Sequence, residues 1–291
     1  MIDYKLSDFL CSNLNWWCFT TKNYAMTKPL VSVIMPVYST ENFVWEAIES
    51  ILNQTFKEFE FIIVDDWSTD WSYEVCEEYA NKDKRIRLYK NEKNQWISYT
   101  RNRLLSLAET DYIATQDSDD ISSKDRLKLE YEFLSKHWDY WVVAWDNEII
   151  DEGWKKIWLR KYSDNISSVI LKKSPVSNPT TMFRKTFFDE VWWYEEWLNY
   201  WEDYDIWLKF YLKWYKIKNL DKVLLRYRVR KWQTKSDKLK QTLKNTIKLQ
   251  EKYIKKWIKP SISDRIYIFL EKCLLLLPSN IILWLFKILN Y

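Results

Sequence analysis

The apolar positions of this chain fall into two alternating periods. Leu30–Val37 is a continuous, largely β-branched run with Pro36 near its end, the pattern of a strand buried on both faces. Asn42–Asn53 then sets Phe43, Ala47, Ile48, Ile51 and Leu52 at helical spacing. The alternation continues. Phe59–Val64 predicts a strand, Ser72–Asn81 a helix, Arg85–Tyr89 a short strand and Trp96–Ala108 a helix. Asp111–Thr115 predicts a strand, Lys124–Lys136 a helix and Tyr140–Ile150 a strand with breaks. Strands alternating with helices of about ten residues predict parallel βαβ units. Such sheets bind ligands at the carboxyl ends of their strands, near a topological switch point.

The second half is less regular. Asn178–Phe183 predicts a strand, Tyr204–Lys213 a helix, Lys216–Leu225 an extended segment and Lys235–Lys256 a long lysine-rich helix. Residues 262–290 predict one or two apolar helices broken at Pro278. The expected division is an N-terminal extension over 1–28, a catalytic domain over 29–233 and C-terminal helices over 234–291. Within the catalytic domain, 29–122 is the expected nucleotide-binding half and 123–233 the acceptor half.

Composition narrows the classes. With 47% hydrophobic residues in 291, the chain can bury a full core. Its net charge is only +4, and no basic stripe precedes residue 228, which argues against a nucleic-acid partner. The four cysteines, Cys11, Cys18, Cys76 and Cys273, match no zinc spacing and are too sparse for a disulfide scaffold, so a cytoplasmic, reducing compartment is expected. The sole histidine, His137, beside Trp138 in a predicted turn, reads as a surface residue, which leaves carboxylates to carry acid–base work. Residues 1–25 lack the basic start and apolar run of a signal peptide, and Met26 is the expected true start. Nothing in the sequence assigns an oligomeric state.

One anomaly bears on the turns. The chain has 20 tryptophans and one glycine, where average usage of about 7% would give a chain of this length roughly 20 glycines. Trp67 and Trp71 sit in the polar turn D-D-W-S-T-D-W-S, Trp192 and Trp193 stand together, and Trp214 follows a predicted helix where a terminating glycine belongs. These are glycine positions. A gene whose UGA codons specify glycine, translated with UGA as tryptophan, would read this way. Trp207 and Trp284, in apolar helical contexts, read as genuine tryptophans.

Three carboxylate clusters carry the candidate chemistry. Asp65 and Asp66 end the second strand; Asp117, Ser118, Asp119 and Asp120 follow the strand Asp111–Thr115; Glu202, Asp203 and Asp205 open a helix. Crowded carboxylates repel one another, and a hard divalent cation with oxygen ligands relieves that repulsion. A short D-x-D leaves most of the coordination sphere open, which suits a metal shared with a diphosphate. A solvated acidic loop is the alternative.

In order and spacing, V-S-V-I-M-P-V-Y, V-D-D-W-S-T-D-W-S, N-Q-W-I-S-Y-T-R-N, Q-D-S-D-D and W-E-D-Y-D-I-W-L-K resemble the family-2 glycosyltransferases, over about residues 30–233. With tryptophan read as glycine, the second segment becomes V-D-D-G-S-T-D-G-S, a hallmark of that family. The resemblance implies a GT-A fold: an α/β architecture with a mixed, mainly parallel sheet, here with a C-terminal helical tail. It implies an inverting, metal-dependent transfer of sugar from a nucleotide-diphospho-sugar, a UDP-sugar by family precedent. The acceptor would be a glycan or a lipid-linked hydroxyl compound of the cell surface.

At matching positions, Pro36, Tyr38 and Asp66 would line the nucleotide pocket, and Asp65 would be structural. Arg101 would offset diphosphate charge. Asp117 and Ser118 would hold the ribose side of the donor, Asp119 would ligate Mg²⁺ or Mn²⁺, and Asp120 would support it. Asp203 would be the general base, with Glu202 as the second candidate and Asp205 as an orienting or capping group. The chain departs from the family pattern where a histidine often follows Y-R-V, a place taken by Arg230, and where Asn178 replaces another frequent histidine.

Two other classes fit less well. A sugar-phosphate nucleotidyltransferase would need a glycine-rich phosphate loop that residues 36–45 lack, and a non-catalytic sugar-binding protein would need its tryptophans as stacking surfaces. In the tail, Arg265–Tyr291 is apolar but interrupted by Glu271, Lys272, Pro278 and Lys287, so it is expected to lie on the inner face of a membrane rather than to cross it. Lysines between Lys231 and Lys259 would meet anionic headgroups. Packing of the tail on the catalytic domain is the alternative.

Overall fold

The computed structural model describes residues 28–191, 193–196, 198, 201–230, 239–278 and 281–282. The first half runs β1 (Val31–Val37), α1 (Val44–Leu52), β2 (Phe59–Asp65), α2 (Ser72–Lys82), β3 (Ile86–Lys90), α3 (Trp96–Leu107), β4 (Tyr112–Thr115), β5 (Ile121–Ser122) and α4 (Arg126–Lys136). The second half runs β6 (Tyr140–Ile150), β7 (Lys156–Arg160), α5 (Ile166–Val169), β8 (Met182–Arg184), α6 (Thr186–Val191), α7 (Glu202–Leu212), β9 (Lys216–Arg228), α8 (Leu239–Lys256) and α9 (Ile262–Leu275).

The strands form one sheet in the order β3-β2-β1-β4-β8-β6-β9-β5, with β7 on the outside of β6. Pairing is parallel between β3, β2, β1 and β4, and again between β6 and β9. The pairs β4–β8, β6–β8, β6–β7 and β5–β9 are antiparallel. The sheet is thus mixed, with the three longest pairings parallel, and a helical tail follows it.

Strand β1 shows why an apolar run becomes a central strand. Val31, Val33, Met35 and Val37 face one layer, where α1 supplies Val44, Ala47, Ile48 and Ile51, and α4 supplies Leu127 and Leu134. Ile34, with Ile62 and Val64 of β2, faces the other layer, where α3 supplies Leu104 and Leu105 and α7 supplies Ile206, Trp207 and Phe210. With both faces covered, the strand has no polar alternation to display.

Several expectations need correction. Asn178–Phe183 is not one strand: Asn178–Thr180 is a turn of 3₁₀ helix with Pro179 in it, and β8 begins only at Met182. The elements β5, β7, α5 and α6 are not predicted from the sequence; β5 and α5, of two and four residues, are too short to leave a period. The expected helix over Lys235–Lys256 is described from Leu239, since 231–238 lie outside the described residues, as do 1–27, Trp192, Trp284 and the end of the tail.

The tail packs against the catalytic layer through α8: Leu249 and Tyr253 join the cluster that holds Trp207. Helix α9 lies on α8 and keeps an apolar stripe, Ile262, Ile266, Phe269 and Leu270, in solvent. Among the described residues no helix is long and apolar enough to cross a membrane.

Among the described residues, six non-glycine residues adopt positive φ, and five are tryptophans: Trp67, Trp96, Trp154, Trp193 and Trp214. This is the left-handed region that glycine occupies without steric cost. Trp71 differs: at φ −78° before α2 it needs no glycine. Trp207 is a buried helix residue in the core.

Candidate active site

Strands β1 and β4 are neighbours whose connections depart to opposite sides, since β2 and β3 extend one way and β4 the other. The crevice beyond their carboxyl ends is the topological switch point of the sheet. Two loops meet there. Tyr38–Thr40 leaves β1, and Gln116–Asp120 leaves β4, with the Thr40 hydroxyl donating to Ser118 Oγ at 3.1 Å across the gap. Pro36 is half-buried within β1, opposite Val64, and Tyr38 is half-exposed just beyond the strand.

Asp65 and Asp66 close β2 but do different things. Asp65 is fully buried and accepts from the Ser68 amide at 3.1 Å; burial raises its pKa. Asp66 Oδ1 accepts from Asn91 Nδ2 at 2.6 Å and from the Gln95 amide at 2.8 Å. The Asp66 amide in turn donates to Val37 O at 2.8 Å, which fixes the β2 exit beside the β1 exit. Asp66 therefore organises the loop that starts α3.

The D-S-D-D loop is held by the end of β9. The Arg228 amide donates to Asp120 Oδ1 at 2.9 Å and its Nε to Asp119 O at 3.0 Å, while its guanidinium pairs with Glu46. Arg230 Nε lies 2.8 Å from Asp119 Oδ2. Burial pushes the Asp119 carboxyl up to about 6, against the pull of Arg230, and Asp117 nearby adds to the rise. Asp120 is raised well above the ordinary range by burial and by Asp119, and its Oδ2 has no hydrogen-bond partner among the described residues.

Arg101 connects this loop to the third cluster. Its Nη1 donates to Glu202 Oε1 at 2.5 Å, its Nη2 lies 3.6 Å from Asp117 Oδ1, and its guanidinium stands 5.6 Å from the centre of the Tyr194 ring. The resemblance set Arg101 against a diphosphate; in the structure this cation is engaged by two carboxylates inside the protein. Glu202 and Asp203 open α7, where the helix dipole favours negative charge. Burial, with Asp203 alongside, raises Glu202 to about 7 despite Arg101. Asp203, the less buried of the two, lies in the first turn beside this pair.

Asp117, Arg101, Glu202 and Asp203 thus form one connected group, and Asp119 with Arg230 adjoins it through Asp117. Tyr194, Arg228 and Glu46 complete the surroundings and carried no signal of their own in the sequence. Asn178 is buried at the end of the β4 neighbourhood, where its backbone carbonyl accepts from the Thr115 hydroxyl. Among the described residues no group of three or more His, Cys, Asp or Glu side chains forms a cage for a metal. The donor set still fits a shared cation: Asp119 and the neighbouring Asp117, which adds to the rise of the Asp119 carboxyl, are hard oxygen ligands, and Mg²⁺ sites built on substrate phosphates use only one or two of them.

Comparison with known proteins identifies the family and the fold. The model of the family "Glycosyl transferase family 2" matches residues 32–192. An uncharacterized glycosyltransferase of Methanocaldococcus jannaschii is 35% identical over 210 residues, 70% of this chain and 72% of that one. Among solved structures, Staphylococcus aureus TarS 1–349 in complex with UDP-GlcNAc superposes with a TM-score of 0.64 at 24% identity, over 82% of this chain and 70% of that one. The mannosyltransferase PcManGT of Pyrobaculum calidifontis, in complex with GDP-Man and Mn²⁺, gives 0.63 at 15% identity, over 87% and 71%. These two share the fold. The site lies at the switch point of a mixed sheet, its acidic segments fall in the family's order, and the family model spans more than half of the chain: this protein belongs to the family-2 glycosyltransferases and is a glycosyltransferase of GT-A fold.

Proposed function

We propose that the protein transfers a sugar from a nucleotide-diphospho-sugar, a UDP-sugar in the first instance, to the hydroxyl of a glycan or lipid-linked acceptor, with inversion at the anomeric carbon. The observation that carries this reading is the link Asp117–Arg101–Glu202, which ties the donor-side loop to the acid pair that opens α7. In this reading residues 29–122 take the nucleotide and 123–233 the acceptor.

Each group has a defined task. Pro36, Tyr38 and Asp66 border the base, Asp66 through the loop it organises, and Asp117 and Ser118 face the ribose. Asp119, with Asp117 beside it, would hold Mg²⁺ or Mn²⁺, which when bound offsets the charge that develops on the departing diphosphate. Arg230 adds fixed positive charge at the same place. Asp203 takes the proton from the acceptor oxygen as that oxygen attacks the anomeric carbon. Glu202, engaged by Arg101, keeps the first turn of α7 and Asp203 in place. Alignment of acceptor oxygen and anomeric carbon supplies the rest of the rate.

The exposed stripe on α9 and the exposed Lys255, Lys256, Lys259 and Arg265 support a place at the cytoplasmic face of a membrane, where acyl chains and anionic headgroups meet both features and lipid-linked acceptors reside.

The test is a panel of UDP- and GDP-sugars with Mn²⁺, read by thermal shift and by release of nucleoside diphosphate. Asp203→Asn is expected to keep the donor-induced shift and to lose turnover by about 10²-fold or more. Full turnover in Asp203→Asn, or no shift with any donor, would end the proposal.

A further inference from the structure

The tail helix α8 touches the catalytic helix at a point the reaction scheme does not use. Tyr253, 2% exposed, donates its hydroxyl to Asp205 Oδ1 at 2.8 Å. Asp205 is wholly buried and lies two residues beyond Asp203, in the first turn of α7. Lys209 Nζ at 3.0 Å and Lys252 Nζ at 3.7 Å balance its charge.

Two further bonds make this contact part of a closed circuit. On α7, the Tyr204 hydroxyl donates to Ile170 O at 2.6 Å. On α8, Gln250 Nε2 donates to the next carbonyl, Leu171 O, at 3.1 Å, and also to Glu271 of α9 at 2.9 Å. Adjacent carbonyls after α5 therefore anchor both helices, and Tyr253–Asp205 joins the helices to each other. A polar triangle inside an apolar cluster has few alternative arrangements, because any slip leaves a buried carboxylate or hydroxyl unsatisfied.

We propose that Tyr253 and Tyr204 are positioning residues for the acid pair: the tail helix sets the axial position and rotation of α7, and so aims Asp203 at the acceptor. This rests on the reading of Asp203 as the base. It gives the C-terminal helices a task in the reaction distinct from any contact with lipid. Misplacing a reacting group by about 1 Å can cost on the order of 10²-fold in rate, so a modest loosening would be visible in turnover.

The experiment compares the full-length wild type with Tyr253→Phe, Tyr204→Phe and the control Leu243→Ala, which trims a buried apolar side chain of α8 outside the circuit. Amide exchange needs no substrate. Exchange at residues 205–208 is expected to quicken roughly tenfold in both Phe variants relative to strands β1 and β2, and not in the control. Turnover of the donor that shifts the wild type most is expected to fall roughly tenfold in kcat with donor KM within about twofold, and to hold in Leu243→Ala below its melting temperature. Unchanged local exchange in Tyr253→Phe and Tyr204→Phe would overturn the inference whatever the substrate. So would wild-type kcat in the Phe variants, or a kcat loss in the control equal to theirs. An Asp203→Asn variant that retains turnover, with the exchange result as expected, would instead sink the assignment of the base.

Discussion

Arg101 and Glu202 meet at 2.5 Å inside the protein, each with its side chain under a tenth exposed, and Arg101 is also within 3.6 Å of Asp117. A buried pair of this kind adds little net stability when compared with an apolar pair, but removing one partner leaves a charge in a poor solvent. Arg101 pulls the Glu202 carboxyl down against burial and Asp203, which together hold it up at about 7.

Arg101→Met is therefore expected to cost about 3–5 kcal/mol of stability. The sign of its pH dependence follows from the same groups. Without Arg101 the Glu202 pKa climbs further, so the variant suffers most at pH 8, where the carboxylate must be charged. The deficit shrinks toward pH 5, where the carboxyl is neutral with or without Arg101. Urea midpoints across that range check this, and a pH-independent deficit would contradict it.

Glu271 offers a second titration, away from the site. Burial raises it to about 7, with Gln250 drawing it down. A carboxyl whose folded pKa exceeds the ordinary value near 4.5 binds more protons folded than unfolded between those limits. Its contribution is full below pH 4.5, declines as pH rises and is gone above about 7. Glu271→Gln keeps an acceptor for Gln250 and removes the titration. The variant is expected to gain on the wild type as pH rises from 5 to 8, measured as the difference in melting temperature; a constant difference would refute the assignment.

Much of this was legible in the residues. The first four strands and their helices follow from apolar runs long enough to span a sheet, and two of the acidic segments begin where β2 and β4 end. What was not legible depends on long-range pairing. The antiparallel strand β8 is three residues long, too short for a period, and its neighbour Asn178–Thr180 bends because Pro179 favours a turn. Arg101 illustrates the same limit at the site: a cation near a predicted diphosphate reads as a ligand for it, and only the fold brings Glu202 from the other half of the chain against it.

The stripe on α9 is periodic at i, i+4 and i+7/i+8, as a surface-lying helix requires. Ile266→Asp with Phe269→Asp is expected to abolish pelleting with phosphatidylserine-containing vesicles while leaving donor-induced thermal shifts intact. Equal pelleting of the variant and the wild type would remove the membrane from the proposal, and binding to pure phosphatidylcholine as strong as to mixed vesicles would remove the role of the lysines.

The tryptophans give the last prediction. Trp67 (φ 65°), Trp96 (φ 69°) and Trp214 (φ 60°) are about half-exposed or more, so their rings bury little, yet their backbones occupy a region that costs a side-chain-bearing residue about 1–3 kcal/mol. Glycine removes that strain and returns part of it as unfolded-state entropy. Trp67→Gly, Trp96→Gly and Trp214→Gly are each expected to stabilise by about 1 kcal/mol in urea unfolding. Trp207→Gly, which empties the core beside Phe210, is expected to cost about 3–5 kcal/mol or more. The opposite signs separate glycine sites from a true core tryptophan. Peptide masses of the protein isolated from its own cells should then read glycine at 67, 96 and 214 and tryptophan at 207. Tryptophan at all four would mean the chain carries this strain in nature, and the UGA explanation would fall.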